Sequence, residues 1–353
     1  MRIILNGPPS KMKNKGGVAN HIHGLKKYWT IDVRYNAVGQ RIPKPQNGKY
    51  WIVWDVIKFI FKLLLLRPDA VWINPSIGKN ALRRDFIFLN ITHKLGIKVM
   101  VFIHGFNLEN FKNIDKSWLR NNLNKASLIL VLAKDFKNRL REIGVTVPIE
   151  LTTTKVEDSL VSDFNIENKD YKNTNKLLFL ARVEKEKGIY ETIDTFALLK
   201  KDFPNLSLQI SGGGKELIPA QDYVKKNGIK DVTFTGFITE NEIKDAYSSA
   251  LLLLLLTSHG EGMPTNVLEG MAFGLPIITR PVGGLDDFFQ NNMMGFISSS
   301  LQPEDFAKGI RPLIENRELL KKIGVFNYNY AKEHFYASKV ANDIESLLKK
   351  YIK

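Results

Sequence analysis

The chain has 353 residues, of which 44% are hydrophobic, and it carries 51 Lys and Arg against 36 Asp and Glu. This length and composition are typical of two domains with ordinary cores. The absence of cysteine excludes disulfides, thiol nucleophiles and cysteine-ligated metals. The apolar start MRIILNG is shorter than a signal peptide and predicts a first strand, so we expect a cytoplasmic protein.

The first segments of the chain predict an α/β entry. A strand over 2–5 is followed by a polar loop and an amphipathic segment over 18–29. Gly16 and Gly17, at the start of that segment, would present amide N–H groups and the positive end of a helix dipole to an anion. Taken alone, such a glycine pair is more often a plain tight turn.

The most apolar stretch, YWIVWDVIKFIFKLLLL at 50–66, predicts a helix. Asp55, Lys58 and Lys62 interrupt it and leave fewer than the about 20 apolar residues that a membrane span needs. We therefore expect a helix of the protein core.

Three further elements lead to the middle of the chain: a strand over 70–74, a helix over 86–95 and a strand over 98–103. The last strand ends at His104, where open α/β sheets bind ligands, although a lone histidine is more often structural. We assign structural roles to His21 and His23. After another strand over 128–132, the polar stretch over 150–175 predicts the link between two domains.

The second half of the chain opens with a strand over 176–180 that leads into Arg182 and Lys187. Two cations at a strand end and helix start suit a pyrophosphate, whereas a single lysine is usually only solvated. Strands over 207–210 and 232–235 precede a run of three glycines, from Gly212, and Phe237. The glycine run lacks a full dinucleotide-binding fingerprint.

The segment LLLLLLTSHGEGMPTNVLEGMAFGLPIITRPVGG at 251–284 predicts a buried strand, a glycine loop, a helix over 265–273 and a second strand. Glu261 stands in the loop and Glu269 in the helix. Carboxylates accept paired hydrogen bonds from vicinal hydroxyls, so a sugar or a ribose is a natural ligand. Two solvated glutamates are the alternative.

This segment resembles the retaining nucleotide-sugar glycosyltransferases of family 4, whose hallmark is two glutamates separated by seven residues, here EGMPTNVLE. The resemblance is strong over 177–300 and weaker before. It implies an α/β fold of the GT-B type, with two Rossmann-like β/α/β domains facing each other across a cleft. The expected domains are 1–165 for the acceptor and 166–335 for the donor, with a closing helix over 336–353 that returns to the first domain.

The same resemblance implies the roles of individual residues. Glu261 and His104 would approach the donor sugar, and Arg182 and Lys187 the pyrophosphate, although Ala181 replaces the family's glycine beside Arg182. Glu269 would bind the nucleotide ribose. The other residues expected at the donor are Gly16, Gly17, Gly212, Phe237, Gly262, Met263, Thr265 and Asn266.

We expect the donor to be a UDP- or GDP-sugar and the acceptor to be a lipid-linked or other saccharide of a cell-surface polysaccharide or lipopolysaccharide. The chain contains no Asp-x-Asp, so we expect transfer without a metal; retention follows from the resemblance alone. A sugar-nucleotide epimerase or a phosphorylase of the same architecture is one alternative. A basic nucleic-acid-binding protein is another, which the pI of 9.6 permits although no nucleic-acid motif is present.

The cations are unevenly distributed along the chain. Residues 1–170 hold 28 Lys and Arg against 14 Asp and Glu, whereas residues 171–353 hold 23 against 22. A solvated surface tuned for solubility is the alternative to a partner. We expect basic loops such as 11–15 and Arg83-Arg84 to hold the protein peripherally on the anionic inner face of the cell membrane.

Overall fold

In a computed structural model of the protein, described for residues 1–9, 16–39, 48–258, 260 and 262–352, the chain divides into two compact units. The side chains of residues 48–50, 79 and 80 are also outside the description. The first unit is Met1–Lys155 with Gly260–Met263 and Ala337–Lys353, and the second is Val156–His259 with Pro264–Tyr336. The acceptor and donor roles of the two parts stay predictions.

The first unit is built on a parallel six-stranded sheet in the order β2-β1-β3-β4-β5-β6. Its strands are β1 (Arg2–Gly7), β2 (Asp32–Ala37), β3 (Ala70–Ile73), β4 (Lys98–Ile103), β5 (Leu128–Val131) and β6 (Ile149–Leu151). Strands β3 and β5 are buried along their whole length, as expected for a parallel sheet covered on both faces. The helices between them are α1 (Gly17–Gly24), α2 (Gly48–Leu66), α3 (Lys79–Lys94), α4 (Leu108–Asn113), α5 (Lys116–Leu123) and α6 (Lys134–Glu142).

The second unit has a parallel six-stranded sheet in the order β12-β11-β10-β7-β8-β9. Its strands are β7 (Lys176–Leu180), β8 (Ser207–Ser211), β9 (Val232–Gly236), β10 (Leu252–Leu255), β11 (Ile277–Thr279) and β12 (Gly295–Ile297). Its helices are α7 (Asp158–Val161), α8 (Ile189–Asp202), α9 (Leu217–Lys226), α10 (Glu240–Ser248), α11 (Thr265–Ala272), α12 (Pro303–Glu315) and α13 (Arg317–His334). Two parallel sheets joined by helices confirm the predicted α/β class.

The last helix, α14 (Ala337–Ile352), belongs to the first unit and is held there by a buried carboxylate. Glu345 is 1% exposed, and its two oxygens accept hydrogen bonds from the backbone N and the hydroxyl of Thr30, each at 2.5 Å. Because a buried carboxylate is costly unless its oxygens are bonded, this pairing fixes where the helix docks.

The helix α2 forms as predicted, but it is not a core helix. Asp55, Phe59 and Leu63 are buried, whereas Phe61 and Leu65 are 72% and 78% exposed. The stretch is apolar on every side, so its hydrophobicity gave no indication that only one side would pack.

Two other segments differ from their predictions. The helix α3 begins at Lys79 instead of residue 86, so Arg83 and Arg84 lie on a helix and not in a loop. The expected linker over 150–175 contains short ordered elements, and it is anchored in the second unit by Tyr171, whose hydroxyl donates to the Gly274 carbonyl at 2.6 Å. The loop over 11–15 lies outside the described residues. Among the residues described, no helix is long and apolar enough to cross a membrane.

Candidate active site

In the sheet of the second unit, the order in which the chain adds strands reverses between β7 and β10. From β7 the chain runs outwards through β8 to β9, and it then returns to the other side of β7 to form β10, β11 and β12. The loops that follow β7 and β10 therefore both start at the carboxyl ends of the strands, and they run in opposite directions from there. A crevice opens at such a switch point, and it is where open α/β sheets bind ligands.

The loop after β7 carries the two predicted cations. The Arg182 side chain is 59% exposed, and its Nη1 lies 2.9 Å from Oε1 of Glu184. Lys187 is half-buried and immediately precedes Gly188, which has φ +77°. A β-carbon at Gly188 would lie 2.3 Å from the Leu256 carbonyl oxygen, so glycine is required there by both conformation and space.

Hydrogen bonds join the loop after β7 to the loop after β10. The carbonyl oxygen of Glu186 accepts from the Thr257 hydroxyl and from the Ser258 backbone N, both at 2.9 Å. These bonds set the backbone position of Lys187, which is the next residue. The two sides of the crevice are therefore one connected structure.

The helix α11 contributes Glu269, a half-buried carboxylate whose Oε2 accepts a hydrogen bond from the Tyr247 hydroxyl at 3.0 Å. Burial, and secondarily the Glu269 charge, raises the pKa of Tyr247 well above its ordinary value, so the hydroxyl stays a donor. The start of the helix is tied to β7, because the Asn266 side-chain amide donates to the Leu180 carbonyl at 2.7 Å. Thr265 is the first residue of the helix.

Three glycines let the neighbouring loops of this edge pack closely. A β-carbon at Gly212 would lie 1.9 Å from the Ala181 carbonyl oxygen, and one at Gly214 would lie 2.2 Å from that of Val183. A β-carbon at Gly213 would lie 2.2 Å from the ring of Phe237. That ring is 85% exposed, an unusual position for a large aromatic side chain. It offers a flat apolar surface next to the loop that follows β8.

The first unit has its own switch point, between β1 and β3, and a cavity of about 210 Å³ lies there. Gly16 and Gly17 line it, and a β-carbon at either would meet no atom of the described residues within 4 Å. Packing against the described part of the unit therefore does not require glycine at these positions. The remaining lining residues are Asn6, Gly7, Pro8, Val18, Ala19, Val38, Asn74, Ser76, Arg84 and Asp85.

His104 lies at the end of β4, and a hydrogen bond of 2.9 Å joins its Nε2 to Oδ1 of Asn74. The Asn74 amide nitrogen donates to the Asn6 carbonyl at 2.8 Å, so Oδ1 is the acceptor and Nε2 of the histidine carries the proton. Burial lowers the pKa of His104 to about 3. The imidazole is therefore neutral, with Nδ1 as a hydrogen-bond acceptor.

His21 lies beside His104, with ring centroids 5.2 Å apart. The sequence alone predicts only a structural role for His21. Its ring nitrogens make no hydrogen bond within the described part of the chain. Burial lowers its pKa well below the ordinary value, so this ring is also neutral.

Gly262 and Met263 group with the first unit, as do Gly16, Gly17 and His104, whereas Thr265, Asn266 and Glu269 belong to the second. A β-carbon at Gly262 would lie 2.2 Å from the His104 carbonyl oxygen, so only glycine fits. The Met263 carbonyl accepts from the Thr154 hydroxyl at 3.3 Å. Glu261 lies outside the described residues, and its role stays a prediction.

Two functional candidates were missed in the sequence. Asn74 directly follows β3, so the rule that selected His104 from its place after a strand could have found it. Tyr247 lies inside α10 and carries no local signal, because its partner is 22 residues away.

Residues 162–330 match the family described as glycosyl transferases group 1. The second unit is a group 1 glycosyltransferase domain. An uncharacterized glycosyltransferase of Methanocaldococcus jannaschii, MJ1069, is 25% identical over 355 residues, covering 93% of this chain and 88% of the relative. The capsular polysaccharide biosynthesis glycosyltransferase CapM of Staphylococcus aureus is 23% identical over 227 residues, covering 63% of this chain and 58% of that protein.

The fold agrees with solved structures, among them a glycosyltransferase from Rickettsia africae ESF-5, with a TM-score of 0.78 and 15% identity over 100% of this chain and 98% of that one. Anabaena Alr3699/HepE, determined in complex with UDP and glucose, superposes with a TM-score of 0.72 and 16% identity over 99% of both chains. The fold class is therefore that of the GT-B glycosyltransferases, and the chain is a glycosyltransferase with relatives in polysaccharide biosynthesis.

Proposed function

We propose that the protein is a retaining glycosyltransferase of family 4 that works without a metal. It transfers a sugar from a UDP- or GDP-sugar to a hydroxyl of a lipid-linked saccharide. The observation that carries this proposal is the switch point between β7 and β10, where the loop with Arg182 and Lys187 and the helix with Glu269 both follow the carboxyl ends of adjacent strands. The UDP-bound structural neighbour and the capsular-polysaccharide relative support it.

The nucleotide half of the donor matches the crevice in chemistry. The exposed ring of Phe237 suits stacking with the base, and the carboxylate of Glu269, held by Tyr247, suits the two ribose hydroxyls. Arg182 and Lys187 suit the pyrophosphate, together with the N–H groups at the start of α11 near Thr265.

In the transfer step, the bond between the anomeric carbon and the donor phosphate oxygen breaks. A bond from the same carbon to the acceptor oxygen forms on the same face of the sugar. The departing phosphate takes the acceptor proton, and the negative charge that grows on it is stabilised by Arg182 and Lys187. Glu261 and the neutral Nδ1 of His104 accept hydrogen bonds from sugar hydroxyls and orient the ring.

A donor screen tests the function directly. UDP- and GDP-sugars are added to the full chain, and the donor that raises the melting temperature is identified, because a ligand that binds only the folded state stabilises it. That donor is then incubated with and without saccharide acceptors, and free nucleoside diphosphate and the product anomer are measured in the presence of a chelator. Acceptor-dependent release with retained configuration is expected. A changed sugar still attached to its nucleotide would indicate the epimerase instead.

The two glutamates should have separable roles. Glu261→Gln should lose sugar transfer while it keeps nucleoside diphosphate binding, because only the sugar contact is weakened. Glu269→Ala should weaken nucleoside diphosphate binding itself, by about tenfold or more if a charged hydrogen bond to the ribose is lost. Glu315→Ala, an exposed position on α12, is the control. Equal losses of binding and transfer in both glutamate variants would refute this division.

We also propose that the protein is cytoplasmic and binds the inner face of the cell membrane peripherally. The excess of cations in residues 1–170 supports this, since each cation near an anionic membrane contributes about 1 kcal/mol. Arg83 is exposed on α3, but Arg84 already pairs with Asp85 at 2.7 Å, so it contributes less. Co-sedimentation with anionic but not neutral vesicles, declining with added salt, is the expected result.

A further inference from the structure

The helix α2 presents a continuous apolar face outwards. Successive helix residues are rotated by about 100°, and six exposed apolar positions fall on one side of the helix. They are Val53 (58% exposed), Trp54 (47%), Ile57 (45%), Phe61 (72%), Leu64 (64%) and Leu65 (78%). Trp51 (42%) lies at the margin of this side, and Ile52 (37%) lies on the docked side. Between residues 51 and 66, the only charged side chain on this outward face is Lys58.

The opposite side of α2 packs against the first unit. The outward face is therefore exposed on a helix that is docked and not on one that is separate from the fold. Asp55, Phe59 and Leu63 are buried on that side. The ring of Phe59 meets that of Phe88 on α3 edge-on, with centroids 5.0 Å apart. The helix is thus fixed by one seam and offers the rest of its apolar surface to a partner.

The surroundings of this face are cationic. Residues 48–98 contain nine Lys and Arg but only three acidic residues. Two of the acids, Asp55 and Asp85, are buried, and the third, Asp69, accepts the backbone N–H of Arg2 at 2.6 Å. On the solvent side, Lys58 lies 5.1 Å from the ring of Trp54, and the neighbouring α3 exposes cations of its own, including Arg83 and Lys94.

We propose that the outward face of α2 inserts into the boundary between headgroups and acyl chains of an anionic bilayer. The inference rests on the proposed peripheral membrane contact and identifies the surface that makes it. Trp54 with Lys58 beside it matches the interfacial layer, where indole rings and lysines lie among phosphates. Phe61, Leu64 and Leu65 supply the apolar area that enters the acyl region.

Charge favours a membrane over a second copy of the chain on this face. A two-fold dimer through α2 would bring equivalent cations of the two copies towards each other, which opposes association. Anionic lipid phosphates complement the same cations. The helix α3, which packs on α2, also carries Arg84 and Asp85 at the cavity of the first unit. A lipid-linked acceptor would thus be presented to that unit from the membrane it docks on.

The test compares vesicle binding of the full chain with two matched double variants. Phe61→Ser with Leu65→Ser removes apolar area from the face, and Ile218→Ser with Leu301→Ser removes it from exposed positions of the second unit (63% and 55%). On vesicles containing phosphatidylglycerol, the face variant should show a partition coefficient at least about tenfold lower, and the control should bind like the parent. Equal melting temperatures of parent and variants establish that folding is intact.

Tryptophan fluorescence gives a second readout that reports insertion itself. Lipids brominated in the upper acyl chain should quench the parent. Replacing both Trp51 and Trp54, the two exposed tryptophans of α2, by phenylalanine should remove most of this quenching. Of the other three tryptophans, Trp72 is fully buried, and Trp29 and Trp118 are partly buried outside α2. Vesicle binding that the face variant retains, or an absence of quenching in the parent, would overturn the proposal. So would a dimer in solution that only the face variant dissociates, because the occupant would then be a second copy.

These outcomes separate the inference from the function on which it rests. Donor binding and sugar transfer to a water-soluble acceptor are measured without vesicles. A parent that transfers sugar but does not insert contradicts the role of α2 alone. A parent that inserts but binds no nucleotide sugar contradicts the proposed transfer and leaves the role of α2 standing.

Discussion

Replacing Tyr247 by phenylalanine removes one oxygen atom and tests whether Glu269 is held in position for a nucleotide. The Tyr247 hydroxyl lies 3.0 Å from Glu269 Oε2 and 3.2 Å from the Asn266 carbonyl oxygen. The carboxylate is the stronger acceptor, because it is charged. The ring itself is fully buried and stacks on Phe273 with centroids 5.2 Å apart, so phenylalanine keeps the packing.

The expected magnitudes follow from this geometry. A hydrogen bond to a charged group contributes about 1.5–3 kcal/mol, but Glu269 is half-buried and water can replace part of the lost bond. We therefore expect the free energy of unfolding to fall by about 1–2 kcal/mol. Nucleoside diphosphate affinity should fall about threefold to tenfold, because the carboxylate must then be ordered when the ribose binds.

The assay is calorimetric titration of nucleoside diphosphate into the parent, Tyr247→Phe, Glu269→Ala and the double variant. If Tyr247 acts through Glu269, its removal should change nothing further once Glu269 is gone. Tyr223→Phe is the matched control, since its hydroxyl donates to Asp194 at 2.8 Å between α9 and α8. Additive losses of affinity in the double variant would refute the positioning role, as would an equal loss in the control.

Three further predictions address the cations, the backbone and the pH dependence. Arg182→Ala and Lys187→Ala should each lower turnover by orders of magnitude with the melting temperature preserved, whereas Lys185→Ala in the same loop should not; near-normal rates in both would contradict their role. Gly188→Ala should destabilise by more than about 2 kcal/mol in denaturant unfolding, because the β-carbon meets Leu256, whereas Gly228→Ala, with φ +61° but open space, should cost about 1 kcal/mol. The pKa of His104 is lowered from 6.5 to about 3 in the folded protein, so between these pH values only the unfolded chain takes up a proton at this residue. The free energy of unfolding should therefore fall by about 2 kcal/mol from pH 7 to pH 5 because of His104. A variant His104→Asn should show a correspondingly shallower pH dependence, and an unchanged slope would argue against a buried neutral histidine.

The sequence by itself determined the local elements of this protein, because their signals lie within a few residues of each other. The leucines at 251–256 contain the buried strand β10, and Pro264 precedes a helix that ends before Gly274. The run of Arg182, Lys187 and Gly188 after β7 also follows from strand, turn and charge patterns that neighbours along the chain share. The resemblance in the same stretch indicated the family of the second unit.

Only the tertiary structure decided which of these local elements meet. That β7 lies beside β10 depends on how two distant segments pair, and this pairing brings the Glu186 carbonyl to Thr257. The bond from Tyr247 to Glu269 spans 22 residues, which is still too far for a local pattern to indicate it. The sequence could not indicate which side of α2 is exposed, for a different reason. A helix that is apolar on every side can pack through any of them, and only the position of the neighbouring elements determines which face stays exposed.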